Sequence, residues 1–219
     1  MTEKIKKIVL ITGASRGLGF FLALQHAKRG DHVIALAKTQ GGLTELDDSI
    51  KKLTGASATL IPFNLNSPDT SFAILGQTLF ERFGKLDRLI LNAATIGPSS
   101  PVAHTSEKDW QQVMDINVTA NVRLLRHLDP LLRSAVTPHI TFVTCASHGD
   151  AYWGAYNASK VALNQIAASY AAETQQAGFK VDIFDPGIMA TQLRRNAYPG
   201  EDQSGLATPV DVALNYVNA

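Results

Sequence analysis

Residues 7–29, which read KIVLITGASRGLGFFLALQHAKR, constrain the fold of this chain more than any other stretch. A short apolar run is followed by a turn with three glycines and then by an apolar helical pattern that stops at Gly30. A strand, a glycine-rich turn and a helix in this order are typical of a nucleotide-phosphate site. The reason is that the N–H groups of the turn and the positive end of the helix dipole both face an anion.

The three glycines of this turn have separate predicted roles. Gly13 allows a tight turn off the strand, Gly17 lets a ligand approach the backbone, and Gly19 lets the helix pack closely against the sheet. The spacing is G-x-x-x-G-x-G and differs from the common G-x-G-x-x-G fingerprint. Taken alone, the turn therefore also fits an ordinary connection between two elements.

Length and composition favour one α/β domain over residues 1–219, because the 219 residues contain no break in composition and no repeat. The net charge of +1 argues against a large basic surface for nucleic acid. A single cysteine, Cys145, excludes a disulfide within the chain and favours a reducing compartment. The apolar run after Lys7 is too short for a signal peptide, and no stretch has the length of a membrane span. We expect a cytoplasmic protein.

The hydrophobic pattern predicts six strands that alternate with helices. The strands are expected at residues 8–11, 32–37, 58–63, 86–91, 139–144 and 180–184. The later helices are expected at residues 43–53, 67–83, 106–132 in two parts, 153–176 and 209–217. This alternation predicts a doubly wound, Rossmann-type parallel sheet in the order 3-2-1-4-5-6 with helices on both faces.

Three local signals refine this assignment. Pro62 predicts that the third strand lies at an edge of the sheet, because proline cannot donate to a strand ladder. Ser67 followed by Pro68 resembles a helix N-cap with a proline in the first turn. Ser106 and Asp109 have the spacing of a capping box.

Glycine and polar features follow every predicted strand. They are residues 13–19, Lys38, Asn64, residues 92–94, residues 144–147 and residues 186–191, in the order of the strands. All of them would meet at one edge of a parallel sheet, where doubly wound folds bind their ligands. Unrelated loops would be scattered over both edges.

Tyr156 and Lys160 are the pair that indicates chemistry. Four residues apart on a helix, they share one face. A free tyrosine has a pKa of about 10, and a nearby ammonium group lowers that pKa. Tyr156 could then donate a proton to a carbonyl oxygen or remove one from an alcohol. The pair alone also fits two helical neighbours without function, but the glycine turn and the shared sheet edge favour the functional interpretation.

With these motifs the chain resembles the classical short-chain dehydrogenases/reductases. TGASRGLG at residues 12–19, NAA at 92–94, Asn117, YNASK at 156–160 and PGIMAT at 186–191 occur in the order and spacing of that family. The resemblance covers nearly the whole chain.

The resemblance implies a role for each matched residue. Tyr156 would be the general acid/base, Lys160 would bind the nicotinamide ribose and tune Tyr156, and Asn117 would hold a helix irregularity and a water of a proton relay. No metal is implied. The implied cofactor-binding residues are Gly13, Ser15, Arg16, Gly17, Leu18, Gly19, Lys38, Asn64, Leu65, Asn92, Ala93, Ala94, Tyr156, Lys160, Pro186, Gly187, Ile188 and Thr191.

The chain departs from the family pattern after the fifth strand. The family holds the substrate oxygen with a serine there, whereas this chain has Ala146 at the expected position and Ser147 one residue later. Either Ser147 or Thr144 binds the substrate oxygen in this chain, or this function is lost. We assign the function to Ser147. Cys145 is expected to pack as a small apolar residue.

The C-terminal part of the sequence bears on assembly. The final, seventh strand that is usual in the family is missing, which argues against a tetramer. The helix at residues 156–176 is apolar nearly all round and needs burial on two sides. We therefore expect a homodimer through the helices at residues 117–132 and 156–176.

The residues after the second strand indicate the cofactor. An NAD enzyme usually has an acidic residue there, but this chain has Ala37 followed by Lys38. Lys38 and Arg16 would attract a 2′-phosphate, so we predict NADP(H). The absence of an acidic residue at this position is what makes the two cations informative. With an acidic residue there, Lys38 and Arg16 would be interpreted as ordinary surface charges.

The sequence therefore predicts an NADP-dependent oxidoreductase that acts on a carbonyl or secondary alcohol. The alternative is a catalytically weakened protein of the same fold that binds the cofactor as a sensor or interaction module. A flavodoxin-like protein would explain neither Tyr156 nor Lys160. Substrate specificity is expected in residues 95–106, 147–155 and 188–207. Within them, Arg194 and Arg195 would meet an acidic substrate or lie as surface charges on a lid.

Overall fold

A six-stranded, all-parallel sheet organises the computed structural model, which describes residues 7–145 and 149–218. The strand order is β3-β2-β1-β4-β5-β6, as the alternation of strands and helices predicts. The strands are β1 Ile8–Thr12, β2 His32–Ala37, β3 Thr59–Pro62, β4 Arg88–Leu91, β5 His139–Val143 and β6 Lys180–Phe184.

Eight α-helices are found in the described part of the chain. They are α1 Gly17–Lys28, α2 Gln40–Thr54, α3 Asp69–Phe83, α4 Glu107–Met114, α5 Ala120–Arg133, α6 Gly154–Thr174, α7 Gln192–Ala197 and α8 Pro209–Asn218. A π-helical segment, Asp115–Thr119, joins α4 to α5, so the predicted two-part helix is continuous with one irregular turn. Short 3₁₀ turns lie at Val102–His104 and Gln175–Ala177.

The side chains of each strand alternate between two cores, one on each face of the sheet. Val9 and Ile11 of β1 point into the core formed with α1, α2 and α8. Leu10 points into the other core, which is formed with α3, α5 and α6. Both faces of the central strands are therefore buried, whereas the edge strand β6 is partly exposed, with Ile183 at 48%. The carboxyl ends of the strands form one rim of the sheet.

Several element boundaries differ from the sequence prediction. The fourth strand begins at Arg88 rather than at residue 86, because the Leu86 N–H donates to the carbonyl of Leu131 at the end of α5. Ser67 does not cap α3: Pro68 is extended and the helix begins one residue later, without a side-chain cap. The predictions for Pro62 at a sheet edge and for Ser106 are confirmed, since β3 is an edge strand and the Ser106 hydroxyl accepts from the Asp109 N–H.

A chain of buried polar groups lies under α1, at the end of the sheet opposite the glycine turn. The Arg88 guanidinium at the start of β4 contacts His139 Nδ1 at 2.7 Å and His26 Nε2 at 3.5 Å. The other ring nitrogens contact Asp182 and Asp31. Burial, reinforced by the charge of Arg88, lowers the pKa of His139 to about 4. Both rings therefore accept from Arg88 in their neutral form and donate to a carboxylate.

This network predicts a specific loss of stability in mild acid. An unfolded histidine binds a proton near its ordinary pKa of about 6.5, whereas folded His139 resists protonation until about pH 4. Its contribution is thus complete above about pH 6.5 and is lost as the pH falls towards 4. Urea unfolding should show about 2 kcal/mol of His139-dependent loss between pH 7 and pH 5. The variant His139→Gln should flatten this slope, while His104→Gln, at an exposed position, should leave it intact; equal slopes in all three proteins would contradict the assignment.

Candidate active site

Hydrogen bonds around Thr12 join the ends of β1 and β4. Its hydroxyl accepts from the N–H groups of Asn92 at 2.9 Å and Ala93 at 3.0 Å, and the Asn92 Nδ2 donates to the Thr12 carbonyl at 2.9 Å. The glycine turn and residues 92–94 are therefore neighbours, as expected from their positions after the strands. The Asn92 side chain, which was expected at a cofactor ribose, is engaged in holding this junction.

The three glycines of the turn face different surroundings. A Cβ on Gly19 would lie 2.4 Å from the Gly13 carbonyl oxygen and 2.5 Å from Asn92 Nδ2, so no side chain fits there. Gly13 and Gly17 both have a positive φ, of 68° and 58°. A Cβ on Gly17 would meet only one atom within 4 Å in the described structure, the Thr191 methyl at 3.9 Å. The turn is thus tight at Gly13 and Gly19 and open at Gly17.

The segment after β6 reaches across to this open side. Pro186, Gly187 and the exposed Ile188 lead to Thr191, whose hydroxyl caps α7 by accepting from the Arg194 N–H at 3.1 Å. The predicted irregular segment therefore contains a short helix. Because the Thr191 methyl faces Gly17, residues far apart in sequence border the same space.

The cations predicted to select the cofactor lie along the same rim. The Ala14 N–H donates to the Leu36 carbonyl at 3.3 Å, which ties the glycine turn to the end of β2. Arg16 and Lys38 are both exposed beside this tie. Of the other predicted residues on this side, Ser15 is half-buried, Leu18 is buried, Asn64 is exposed and Leu65 is buried in the core.

Tyr156 and Lys160 share one face of α6, as their spacing predicts, and both are directed towards the end of β5. The Lys160 ammonium donates to the Val143 carbonyl at 3.1 Å and lies 5.6 Å from the centre of the Tyr156 ring. Lys160 is only 3% exposed. Lysines are rarely buried to this degree, because their ammonium groups usually lie in solvent. The positive charge of Lys160 therefore lies within the site.

The pKa values of the pair are set mainly by burial. Burial lowers the pKa of Lys160 to about 8. Burial also raises the pKa of Tyr156, and the neighbouring Cys145 raises it further. The net shift is opposite to the one expected from Lys160, because the cost of desolvating a phenolate dominates. Tyr156 is therefore a neutral phenol that holds its proton.

The sequence predicted that Cys145 packs as a small apolar residue, but in the structure it also contacts the Tyr156 hydroxyl. It is half-buried, and its Sγ lies 3.9 Å from the Tyr156 Oη, at the limit for a hydrogen bond donated by sulfur. Burial raises the pKa of Cys145, so the thiol stays protonated. Only its separation of eleven residues from Tyr156 was visible in the sequence, which predicts no contact.

Asn117 lies at the middle of the π-helical segment and is fully buried. Its Oδ1 accepts from the Thr95 N–H at 2.8 Å, and its Nδ2 donates to the Thr95 carbonyl at 2.8 Å and to Ser159 Oγ at 2.9 Å. The Asn117 carbonyl accepts from Asn121 Nδ2 at 2.7 Å. Asn117 therefore joins the loop after β4 to α6.

Ser159 completes this connection and was missed by the sequence analysis. Its hydroxyl accepts from Asn117 and donates to the Tyr156 carbonyl at 2.7 Å, with no exposure to solvent. The sequence contains only a weak indication of this role. The position of Ser159 in the YNASK segment allows a hydrogen bond to the preceding helical turn, but its other partner, Asn117, lies 42 residues away in the sequence.

The candidates for the substrate-binding serine have different outcomes. Ser147, with Ala146 and His148, lies outside the described residues. Thr144 is buried, and its hydroxyl has no hydrogen-bond partner within residues 7–145 and 149–218. Those residues contain neither a cluster of side chains suited to a metal ion nor a helix that is long and apolar enough to cross a membrane.

The glycine turn predicts a sharp difference between two substitutions. Gly19→Ala should cost roughly 2 kcal/mol or more in the free energy of unfolding, because the new Cβ would overlap the Gly13 carbonyl and Asn92. Gly41→Ala is the matched control, since that glycine lies in α2 with open space around it and alanine favours a helix. Urea denaturation of both variants measures this. Equal stability of the two would show that the turn is looser than described.

Comparison with known proteins agrees with this geometry. The family model described as short chain dehydrogenase matches residues 7–202. The uncharacterized oxidoreductase YciK of Escherichia coli is 32% identical over 96% of this chain and 84% of its own. An NADPH-dependent pterin aldehyde reductase of Arabidopsis thaliana is 33% identical over 88% of this chain and 78% of its own.

A solved structure has the same fold as this chain. The short chain dehydrogenase of Shigella flexneri, crystallised with NADP, superposes with a TM-score of 0.93 at 32% identity and covers 96% of this chain and 89% of its own. Sheet order, glycine turn, Tyr156–Lys160 pair and family match all point the same way. This chain belongs to the short-chain dehydrogenase/reductase family.

Proposed function

We propose that this protein is an NADP(H)-dependent oxidoreductase that transfers hydride between nicotinamide and a carbonyl or secondary alcohol. One observation carries the proposal. The Tyr156 phenol and the buried Lys160 ammonium lie on one face of α6, at the rim of the sheet that also holds the glycine turn.

The rim fits a dinucleotide. The backbone at Gly17 borders open space, which a Cβ would begin to fill, and the N-terminus of α1 follows directly. In this proposal the diphosphate is held by the turn, and the ribose and nicotinamide by Lys160, residues 92–94 and residues 186–191. Arg16 and Lys38 would bind the 2′-phosphate, since Ala37 offers no competing carboxylate. The NADP of the Shigella structure and the NADPH of the Arabidopsis reductase support the same choice.

The residues of the site suit a proton transfer that accompanies hydride transfer. The bound cofactor supplies the hydride to the carbonyl carbon. Tyr156 gives its phenolic proton to the carbonyl oxygen, and the raised pKa keeps that proton in place until it is needed. Lys160, with a pKa of about 8, is mostly charged at neutral pH and stabilises the phenolate that remains. The neutral phenol is the form of Tyr156 that the reductive direction uses.

The positions of Tyr156 and Lys160 are maintained by Asn117 and Ser159, which connect the loop after β4 to α6.

Ser147 as the group that binds the substrate oxygen stays a prediction. So do the single domain over residues 1–219 and the cytoplasmic location.

The alternative, a cofactor-binding sensor with little turnover, has one observation in its favour. With its pKa raised by burial and by Cys145, Tyr156 is protonated at neutral pH and cannot accept a proton from an alcohol without first losing its own. The raised pKa also makes the phenol a weaker acid for the reductive direction.

A homodimer is proposed through α5 and α6. A groove of about 560 Å³ runs between them. It is bordered by Val122, Leu125, Ile166 and Tyr170 and also by the polar residues Arg126, Asp129, Gln165, Ser169 and Glu173. Val161 on the same helix is 55% exposed. These apolar side chains support burial against a second copy, as predicted for residues 117–132 and 156–176, and sedimentation equilibrium measures the mass of the assembly.

Replacing the phenol tests the function directly. Tyr156→Phe should lower kcat for NADPH oxidation with a carbonyl substrate by about a hundredfold or more, because the proton donor is lost. The Kd for NADPH should change by less than about threefold, since the ring remains. Tyr216→Phe, which removes a hydroxyl from α8 on the other side of the sheet, is the control and should keep its activity. Tight NADPH binding by the unmutated protein without turnover on a broad carbonyl panel would favour the sensor.

The cofactor proposal has its own measurement. NADPH should bind more tightly than NADH, and Lys38→Ala and Arg16→Ala should each weaken NADPH binding roughly tenfold, about 1.4 kcal/mol, with little effect on NADH. Lys52→Ala, an exposed lysine at the far end of α2, is the control. A preference of the unmutated protein for NADH would refute the proposal.

A further inference from the structure

We propose that the substrate of this site is an uncharged carbonyl compound with an aromatic or similarly flat apolar group, and that the site discriminates against anionic substrates. The inference rests on the proposed function, of which it specifies the substrate. It is argued from the surroundings of Tyr156.

A small cavity beside Tyr156 is enclosed by three segments of the chain. Ile96 and Pro98 come from the loop after β4, Val113 from α4, and Trp153 from the start of α6. The segments are tied together, because the Ser100 N–H donates to the Tyr152 carbonyl at 3.1 Å. At about 10 Å³ the cavity holds about one water molecule, and its walls are mostly apolar or aromatic, with the polar side chains of Ser100, Thr105 and Asp109 among them.

Aromatic rings border this cavity and extend from it to α7. Trp153 is nearly buried, and its ring lies 5.8 Å from that of Tyr198 at the end of α7. Tyr152 lines the cavity, is 57% exposed and has a φ of 71°, a conformation that tyrosine rarely adopts. Backbone strain of this kind persists only where the surroundings impose it. Here it leaves a large aromatic side chain partly exposed at the site.

The charges around the cavity disfavour an anion. Asp109 lines it, and no lysine, arginine or histidine does so among the residues described by the structure. The Asp109 carboxylate accepts from the Ser106 hydroxyl at 2.6 Å. An acidic group of a substrate would lose its water here and meet the Asp109 carboxylate, and no lysine, arginine or histidine of the described residues lines the cavity to compensate.

Arg194, one of the two arginines that the sequence offered for an acidic substrate, is already paired, while Arg195 is exposed. The Arg194 guanidinium makes two hydrogen bonds to the Glu201 carboxylate, at 2.7 and 2.6 Å, and lies 3.7 Å from the centre of the Tyr198 ring. The pair neutralises the arginine and fixes it against the aromatic group. A neutral aromatic substrate gains contacts with such rings, whereas a carboxylate or phosphate would have to displace Glu201.

Matched substrates test this inference. With NADPH, the unmutated protein should show a kcat/KM for benzaldehyde that exceeds the values for cyclohexanecarbaldehyde and 4-carboxybenzaldehyde by about tenfold each. Similar values for all three would overturn the inference while leaving the proposed function intact. No NADPH oxidation with any carbonyl, by protein that is folded and binds NADPH, would overturn both.

Variants separate the two parts of the argument. Asp109→Asn should raise the ratio of kcat/KM for 4-carboxybenzaldehyde to kcat/KM for benzaldehyde several-fold, whereas Glu107→Gln, exposed on the same helix but outside the cavity, should leave that ratio unchanged. Tyr152→Ala should reduce the preference for benzaldehyde over the cyclohexane analogue, while Trp110→Ala, an exposed aromatic residue of α4 outside the cavity, should not. If Tyr152→Ala kept the full preference for benzaldehyde, the claim of an aromatic substrate would be contradicted. If Asp109→Asn did not change the discrimination against 4-carboxybenzaldehyde, the claim of anion exclusion would be contradicted.

Binding gives a readout that does not depend on turnover. In a Trp110→Phe background, Trp153 is the remaining tryptophan, and its fluorescence reports on the cavity. Benzamide, in the presence of NADP⁺, should change this fluorescence at a lower concentration than benzoate does. Equal or tighter binding of benzoate would overturn the exclusion of anions.

Discussion

The hydrogen bonds around Thr12 are the interaction on which the rest of the site depends. They join the ends of β1 and β4, the two central strands between which the chain changes its direction of winding. The glycine turn can be tight only because Asn92 and Ala93 fill the space that side chains on Gly13 and Gly19 would need. The loop that leaves this junction is held in turn by Asn117, which bonds to the N–H and the carbonyl of Thr95.

A second constraint is the burial of a charge. Lys160 lies in the interior with its ammonium on the Val143 carbonyl, and an ion in that position costs several kcal/mol unless the surroundings are fixed. The fixed surroundings are provided by the connection from Thr95 through Asn117 to Ser159 and the Tyr156 carbonyl. The pair thus lies within a helix, α6, as the proposed proton transfer from Tyr156 to a substrate requires of a well-positioned group.

The sequence predicted the features that follow from periodicity. Strand order follows from the alternation of elements, the shared face of Tyr156 and Lys160 from a spacing of four, and the joining of six loops at one rim from the parallel sheet. Contacts between distant residues were not predictable. The bond between Asn117 and Ser159, and the pairing of Arg194 with Glu201, depend on how loops and helices pack, which no local pattern encodes.

The errors have a common cause as well. Ser67, Leu86 and Cys145 were assigned from their neighbours in sequence, but tertiary contacts decide all three. The pKa of Tyr156 was predicted from one nearby charge, and burial outweighs that charge. Local rules describe a residue correctly where its surroundings are its own helix or strand, and they fail where another segment supplies the surroundings.

A crystal structure with NADP⁺ and a bound ketone analogue measures the central claim most directly. The account predicts the diphosphate at the turn around Gly17, the nicotinamide ring beside Tyr156, and the analogue's oxygen about 3 Å from the Tyr156 Oη. A nicotinamide ring away from Tyr156, or a phenol that faces the interior with no access to the analogue, would contradict it.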